Sequence, residues 1–282
     1  MLDSRSAAND PDRMHTRRSR RSTLASFALV LVAAAGFAAS QAADAPKPPP
    51  AKDRLLVFSK TAGFRHQSIP DGVKALQELF RDRYEVETSE DSAIFSSDNL
   101  KRFKAVVFLS TTGDILNDEQ QKAFEAFIKR GGGYAGVHAA ADTEHSWPWY
   151  GELVGAYFKT HPHIQPADLK VEDRSHRSTR MLPADWRRTD EWYVYNKSPR
   201  DRVKILLSIS SKLEGANMGS DHPIAWYHEF QGGRAWYTGG GHTSESFKEE
   251  LFLKHLEGGI LWAAGAADTA PGTAKSTPSE QR

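Results

Sequence analysis

An α/β fold, with a mostly parallel sheet covered on both faces by helices, follows from three features of this 282-residue chain. Residues 55–58 and 105–109 are uninterrupted apolar runs of strand length, the pattern of strands buried on both faces. Between such runs the apolar residues change to helical spacing, with Val73, Leu76, Leu79 and Phe80 in one segment and Phe124, Phe127 and Ile128 in another. The third feature is the alternation itself. Strand and helix taken in turn build a parallel sheet with right-handed crossovers.

The elements can be justified in order. After the first strand, residues 59–67 form a polar loop. Ser68-Ile69-Pro70-Asp71 then starts a helix, with proline in the first turn and an acid beside it. Residues 84–88 read as the next strand. The run 105–109 ends in Ser110-Thr111-Thr112-Gly113, and Asn117 caps a helix with Gln120 in capping-box position. Gly131-Gly132-Gly133 leads into a strand at 134–137. The second half is less regular, with strands expected at 169–172, 192–195, 203–209, 224–230 and 234–238. A closing helix spans 251–263, with Leu253, Leu256, Ile260 and Leu261 as its core residues. Ligands of such sheets bind beyond the carboxyl ends of the strands. His66, His138 and His242 each follow a strand and are therefore expected to converge there, with Ser110, Thr111 and Thr112 along the same edge.

The ends carry different signals. Residues 1–42 read as an export signal, with a basic stretch at Arg17, Arg18, Arg20 and Arg21 and an apolar run too short to span a membrane comfortably. Ser19-Arg20-Arg21-Ser22 fits a twin-arginine pattern and equally an ordinary secretory signal. Residues 43–52 form a proline-rich linker, 53–265 one domain, and 266–282 a tail of disordered composition. The expected location is periplasmic or secreted, with no stable membrane insertion after signal removal. A net charge of +1 gives no reason to invoke nucleic acid. The absence of cysteine removes thiol catalysis, disulfides and a cysteine-linked lipid anchor together.

Gly133-Tyr134-Ala135-Gly136-Val137-His138-Ala139 resembles the sharp strand-to-turn elbow of α/β hydrolytic enzymes, with histidine at the apex where Ser or Cys would stand. Histidines at strand ends suit two chemistries. They can hold a divalent metal, for which His161 and His163, two apart in an extended segment, are further candidates. They can instead move protons, with a carboxylate as partner. Asp190 and Glu191 face opposite sides of a strand, so one of them reaches the pocket, and Glu191 is the choice. Trp147 and Trp149, flanking Pro148, are expected on an exposed rim, as flat apolar faces with polar handles of the kind that suit a ligand's C–H faces and hydroxyls. Gly240, within Gly239-Gly240-Gly241, permits close backbone approach to a ligand, and the N–H groups that follow are candidates for binding sugar or phosphate oxygens.

Six segments taken together, Gly63-Phe64-Arg65-His66, Gly136-Val137-His138, His161-Pro162-His163, Asp190-Glu191-Trp192-Tyr193, Asp221-His222-Pro223-Ile224-Ala225-Trp226 and Gly239-Gly240-Gly241-His242, resemble the ThuA-like (trehalose utilisation) family over about residues 54–264. The resemblance implies a flavodoxin-like, class I glutamine amidotransferase-like three-layer sandwich. It also implies handling of trehalose-type disaccharides and oxidised 3-keto glycosides. The amidotransferase reaction itself is excluded, since the cysteine it needs is missing. His138, Glu191 and His66 are then the catalytic candidates, and Thr111, Trp147, Trp149, Asp190, His222, Gly240 and His242 the substrate-binding ones. Three activities fit these residues: an enzyme transforming an oxidised glycoside, a non-catalytic carbohydrate-binding module, and a partner of an exported sugar dehydrogenase.

Overall fold

The computed structural model describes residues 51–268; the stretch read as an export signal, nearly all of the expected linker and the tail beyond Asp268 lie outside the described residues. The first half runs β1 (Asp53–Phe58), α1 (Ile69–Phe80), β2 (Tyr84–Ser89), α2 (Ser97–Leu100), β3 (Phe103–Leu109), α3 (Asp118–Lys129) and β4 (Gly133–Val137). Then come α4 (Pro148–Val154), β5 (Phe158–Thr160), β6 (Gln165–Val171), β7 (Asp185–Asp190) and β8 (Val194–Tyr195). The chain closes with β9 (Lys204–Ile209), β10 (Pro223–Phe230), β11 (Gly233–Thr238) and α5 (Glu250–Ala263). No helix among the described residues is long and apolar enough to cross a membrane.

Nine strands form one sheet in the order β2-β1-β3-β4-β11-β10-β9-β6-β7, and β5 and β8 pair separately. The first five are mutually parallel, in the order that flavodoxin-like folds use. The remaining four are antiparallel to their neighbours, so the sheet is mixed, with its parallel half carrying the flavodoxin-like core. The apolar runs predicted as two-face strands are β1 and β3, whose Leu55 to Phe58 and Ala105 to Leu109 are all buried. Helix α1 packs with α5, and α2 with α3, on the sheet. Asn117 caps α3 with the expected reciprocal pair: its side chain accepts from Gln120 N at 3.0 Å, and Gln120 accepts from Asn117 N at 2.9 Å. Leu256, Ile260 and Leu261 of α5 are core residues, while Leu253 is only partly buried against the core.

The sequence expectation differs in several places: the short elements α2, α4 and β5 were not anticipated, and β6 begins at Gln165 rather than at residue 169. β7 was not anticipated; its inward residues are Trp186, Arg188 and Asp190, two of them charged, so an apolar pattern is missing. Of the strand expected at 192–195, only Val194 and Tyr195 pair, and Trp192 is instead fixed by its indole N–H donating to Gln165 O at 2.8 Å.

Candidate functional site

Topology brings the loops after β1, β3, β4 and β11 to the carboxyl edge of the parallel strands. The loop after β1 is tied to the one after β3 through Thr112. Ala62 N donates to Thr112 O at 2.7 Å, Gly63 N to Thr112 Oγ1 at 3.2 Å, and the Thr112 hydroxyl to Phe64 O at 2.8 Å. This fixes the backbone just ahead of His66. At the end of β4, His138 adopts φ +49°, a left-handed conformation that costs a non-glycine residue about 1–2 kcal/mol. The elbow expected there is present, and it aims the imidazole into the edge. Ser110, at the end of β3, has φ +48° and a buried hydroxyl without a partner.

The three histidines meet. Ring centroids lie 4.8 Å apart for His66 and His138, 5.0 Å for His66 and His242, and 5.0 Å for His138 and His242. Glu191 completes the group, with Oε2 at 3.1 Å from His242 Nδ1 and 3.5 Å from His138 Nε2. His138 Nε2 is 3.1 Å from His242 Nδ1. His138 Nδ1 lies 2.9 Å from Gly239 O; a carbonyl only accepts, so this nitrogen carries a hydrogen, and Nε2 is the nitrogen turned toward Glu191 and His242. His161 approaches from the other side of the carboxylate, its Nδ1 2.9 Å from Glu191 Oε1.

Burial works to raise the Glu191 carboxyl, but hydrogen bonds from His138 and His242, with their charge, bring it down to about 2. It is a fixed negative charge. His66 is pushed down to about 3 by burial, reinforced by His138 and His242. On His242 burial acts downward, yet its hydrogen bond to Glu191 and the carboxylate charge outweigh that and raise it. A cavity of about 390 Å³ opens onto this group and is walled by Phe64, Phe158, Tyr193, Asp142 and His161.

One ligand atom from each of His66, His138, His242 and Glu191 lies within 4.8 Å of all the others, so these four residues could hold a metal ion.

The family model described as trehalose utilisation, ThuA, matches residues 54–263. The chain belongs to the ThuA family. That places it among proteins of carbohydrate use. Its fold is similar to that of a ThuA-like protein from Bacteroides uniformis ATCC 8492, with TM-score 0.66 and 24% identity over 78% of this chain and 95% of that one. A ThuA-like protein from Parabacteroides merdae ATCC 43184 gives TM-score 0.67 and 19% identity over 78% and 92%. The fold also matches, at TM-score 0.51 and 10% identity, 31% of a β-galactosidase chain from Bacillus circulans sp. alkalophilus, against 76% of this chain. No curated protein matches.

Within this ThuA domain the remaining candidates fall away from the pocket. Asp190 lies beneath it: its carboxylate accepts from Gly241 N at 2.8 Å, His242 N at 3.1 Å and Arg188 Nη1 at 2.9 Å. The N–H groups expected to be free after the glycine run are thus occupied by Asp190. Gly240 is small because Arg188 and Phe252 crowd it; a Cβ there would stand 2.5 Å from Arg188 Nη1. Thr111 is buried and pairs with Thr143 at 2.8 Å. The exposed aromatic rim is a further correction. Trp147 is 8% exposed and stacks on Trp149 at 4.9 Å, and Trp149 packs against Phe124 and Phe230 and donates to Gln231. Two tryptophans beside Pro148 bury more apolar area as a helix start against α3 than on a rim. His222 holds the backbone behind the site, its Nε2 2.8 Å from Tyr193 O. His163 is exposed and is not part of the converging group, so of the His161–His163 pair only His161 arrives.

The ThuA pocket has walls that the sequence reading passed over. Phe64 is 66% exposed at the mouth with its ring 4.9 Å from His66, and the Tyr193 ring lies 4.3 Å from His138 and 4.2 Å from Phe158. Phe64 and Tyr193 stand inside segments that carried the family resemblance, so their place beside histidines was the available signal. Phe158, in a short strand with no pattern of its own, had none.

Proposed function

We propose that this pocket acts on an oxidised, 3-keto glycoside of the trehalose type and cleaves or rearranges it by proton transfer. The observation that carries the reading is the gathering of His66, His138 and His242 around the buried carboxylate of Glu191, at the inner end of an aromatic-walled cavity. The family points to sugars, and aromatic walls suit the C–H faces of a pyranose. A ketone at C3 acidifies the proton at C2. A base that removes it leaves an enolate whose electrons expel the glycosidic oxygen from C1, and that oxygen takes a proton as the bond breaks. Addition of water then completes a net hydrolysis. Imidazoles held beside a carboxylate are suited to both proton transfers, an arrangement that contributes about 10²–10⁴-fold.

Export belongs to the same proposal, supported by the basic and apolar stretches of residues 1–42. The substrate must then be supplied by an enzyme that oxidises a glycoside at C3, which is the partner implied.

The test is incubation with 3-keto-trehalose and with trehalose, following product sugars. Only the oxidised substrate should be consumed, and His138→Ala should reduce its turnover by at least about 10²-fold while the thermal melt stays cooperative. Unaltered turnover by a folded His138→Ala protein would remove this histidine from the chemistry. Wild-type protein that binds the keto sugar and returns it unchanged would make the site a binding module instead.

A further inference from the structure

We propose that His66, His138, His242 and Glu191 form a binding site for one divalent first-row transition-metal ion, with zinc as the expected occupant. The spacing is the first argument. Zinc bound to nitrogen and oxygen at about 2.0–2.1 Å in a tetrahedron sets neighbouring ligand atoms about 3.3 Å apart. The edges seen here are 3.1 Å for His138 Nε2 to His242 Nδ1, 3.1 Å for His242 Nδ1 to Glu191 Oε2, and 3.5 Å for His138 Nε2 to Glu191 Oε2. Three edges of one face therefore have the required length.

The second argument is the support behind the ligands. A metal-bound histidine donates its other N–H to a carbonyl or carboxylate, which fixes the tautomer. His138 does this with Gly239 O at 2.9 Å. Glu191 is steadied through its second oxygen by His161 at 2.9 Å. The backbone of His242 is pinned by Asp190, itself held by Arg188 and Ser246.

A hydrogen-bonded cluster is the competing account, and it stops short of His66. Protons shared among Glu191, His138 and His242 satisfy those three. His66 stays buried with an Nδ1 that has no hydrogen-bond partner, although its ring faces both other imidazoles. A buried ring nitrogen left without a partner is costly; His66 as a fourth ligand has a purpose. The donor set is nitrogen and carboxylate oxygen with no thiolate, which suits zinc, iron, nickel or manganese rather than copper(I). The cavity reaches His66, His161, His242 and Glu191, so both the ion and an oxygen of a ligand have access; a ligated imidazole has no lone pair for a proton, so with the ion bound proton transfer would fall to His161, on the cavity wall and outside the ligand set.

The experiment uses the purified protein stripped with chelator, then given zinc in excess and freed of the unbound ion. Elemental analysis should return one zinc per chain, and saturation to about a hundred times Kd should raise the melting temperature by about 5 °C or more. Cobalt(II) in the same site should give visible d–d absorption. His66→Ala, His242→Ala and Glu191→Ala should each weaken zinc by well over tenfold, and His161→Ala by about 10–100-fold. His163→Ala should bind like the wild type. His138 is fully buried, so His242→Ala, on the cavity wall and checked for a normal melt, carries the decision. Folded wild-type protein that takes up no zinc, cobalt or manganese would overturn the proposal, as would uptake indifferent to all of these substitutions. Zinc uptake without turnover of a 3-keto glycoside would leave the metal site standing and remove the proposed substrate. Turnover by protein that takes up no metal would do the reverse.

Discussion

The side chains of Asp190 and Glu191 leave the end of β7 on opposite sides, as neighbours on extended backbone must. Asp190 turns inward to Arg188 and to the N–H groups of Gly241 and His242; Glu191 turns to the histidines. Alternation alone separates the two acids, but not which of them is pocket-facing, because that depends on where β7 sits in the sheet. Their substitutions should read out differently. Asp190→Ala removes one partner of a buried ion pair and leaves two turn N–H groups without an acceptor, a loss of about 3–5 kcal/mol. Glu191→Gln keeps the shape of its side chain and removes the charge. It should suppress turnover while costing metal-free protein less than Asp190→Ala does, about 1.5–3 kcal/mol, because the charge-assisted bonds from the histidines are weakened and not orphaned. Equal destabilisation by the two variants, measured by denaturant unfolding, would contradict the division of roles.

Helix α5 shows where local propensity and packing disagree. Gly258 and Gly259 lie in its interior, where alanine would be favoured by about 1 kcal/mol on propensity alone. A Cβ at 259 would overlap the buried Trp236 ring, and one at 258 the backbone of Arg177 and Ser178. Neither neighbour is the loose end of a flexible side chain. Gly258→Ala and Gly259→Ala should therefore each lower stability by about 1–3 kcal/mol, and a raised melting temperature in either would refute the packing argument. The same tension explains which elements were legible in the sequence. α3 announced itself through Asn117 and Gln120, and β1 and β3 through unbroken apolar runs, because each obeys a local rule. The elbow at His138 was legible from the small residues around it. β7 was not, since its inward positions hold Arg188 and Asp190, whose burial is only intelligible once their partners on the glycine turn and α5 are known. Trp147 and Trp149 misled for the converse reason: a polar loop before them suggested exposure, and only the tertiary position of α3 and β10 covers them.

The site exists because the two halves of the sheet meet again in space. β11 and β7 are four strands apart, about 19 Å in a flat sheet, yet Asp190 at the end of β7 contacts Gly241 just after β11. The antiparallel half must curl back, and Trp186 donating to Glu249 at 2.9 Å fastens it to the start of α5. The parallel half thus supplies three histidines and the returning half supplies Glu191. Buried imidazoles lie along this join, and they give the whole molecule a pH dependence. His255 is pushed down to about 3 by burial, and His176 to about 4 by burial, while both would titrate near 6.5 in the unfolded chain. The folded state keeps them neutral. Their contribution is fully present above pH 6.5; as pH falls below that value the unfolded chain binds protons the folded one refuses, and stability drops until the folded groups themselves protonate near 4 and 3. Each such group adds a slope of up to about 1.4 kcal/mol per pH unit. Between pH 6.5 and about 5 these imidazoles act before carboxylates protonate, so the unfolding free energy should already decline there. His255 Nδ1 donates to Ser178 O at 2.9 Å, a bond that an asparagine amide can reproduce. His255→Asn should therefore fold, with lower stability at neutral pH but a shallower decline toward pH 5. Urea unfolding of both proteins at pH 7, 6 and 5 tests this, and parallel pH profiles for wild type and variant would show that His255 is not among the groups that set acid sensitivity.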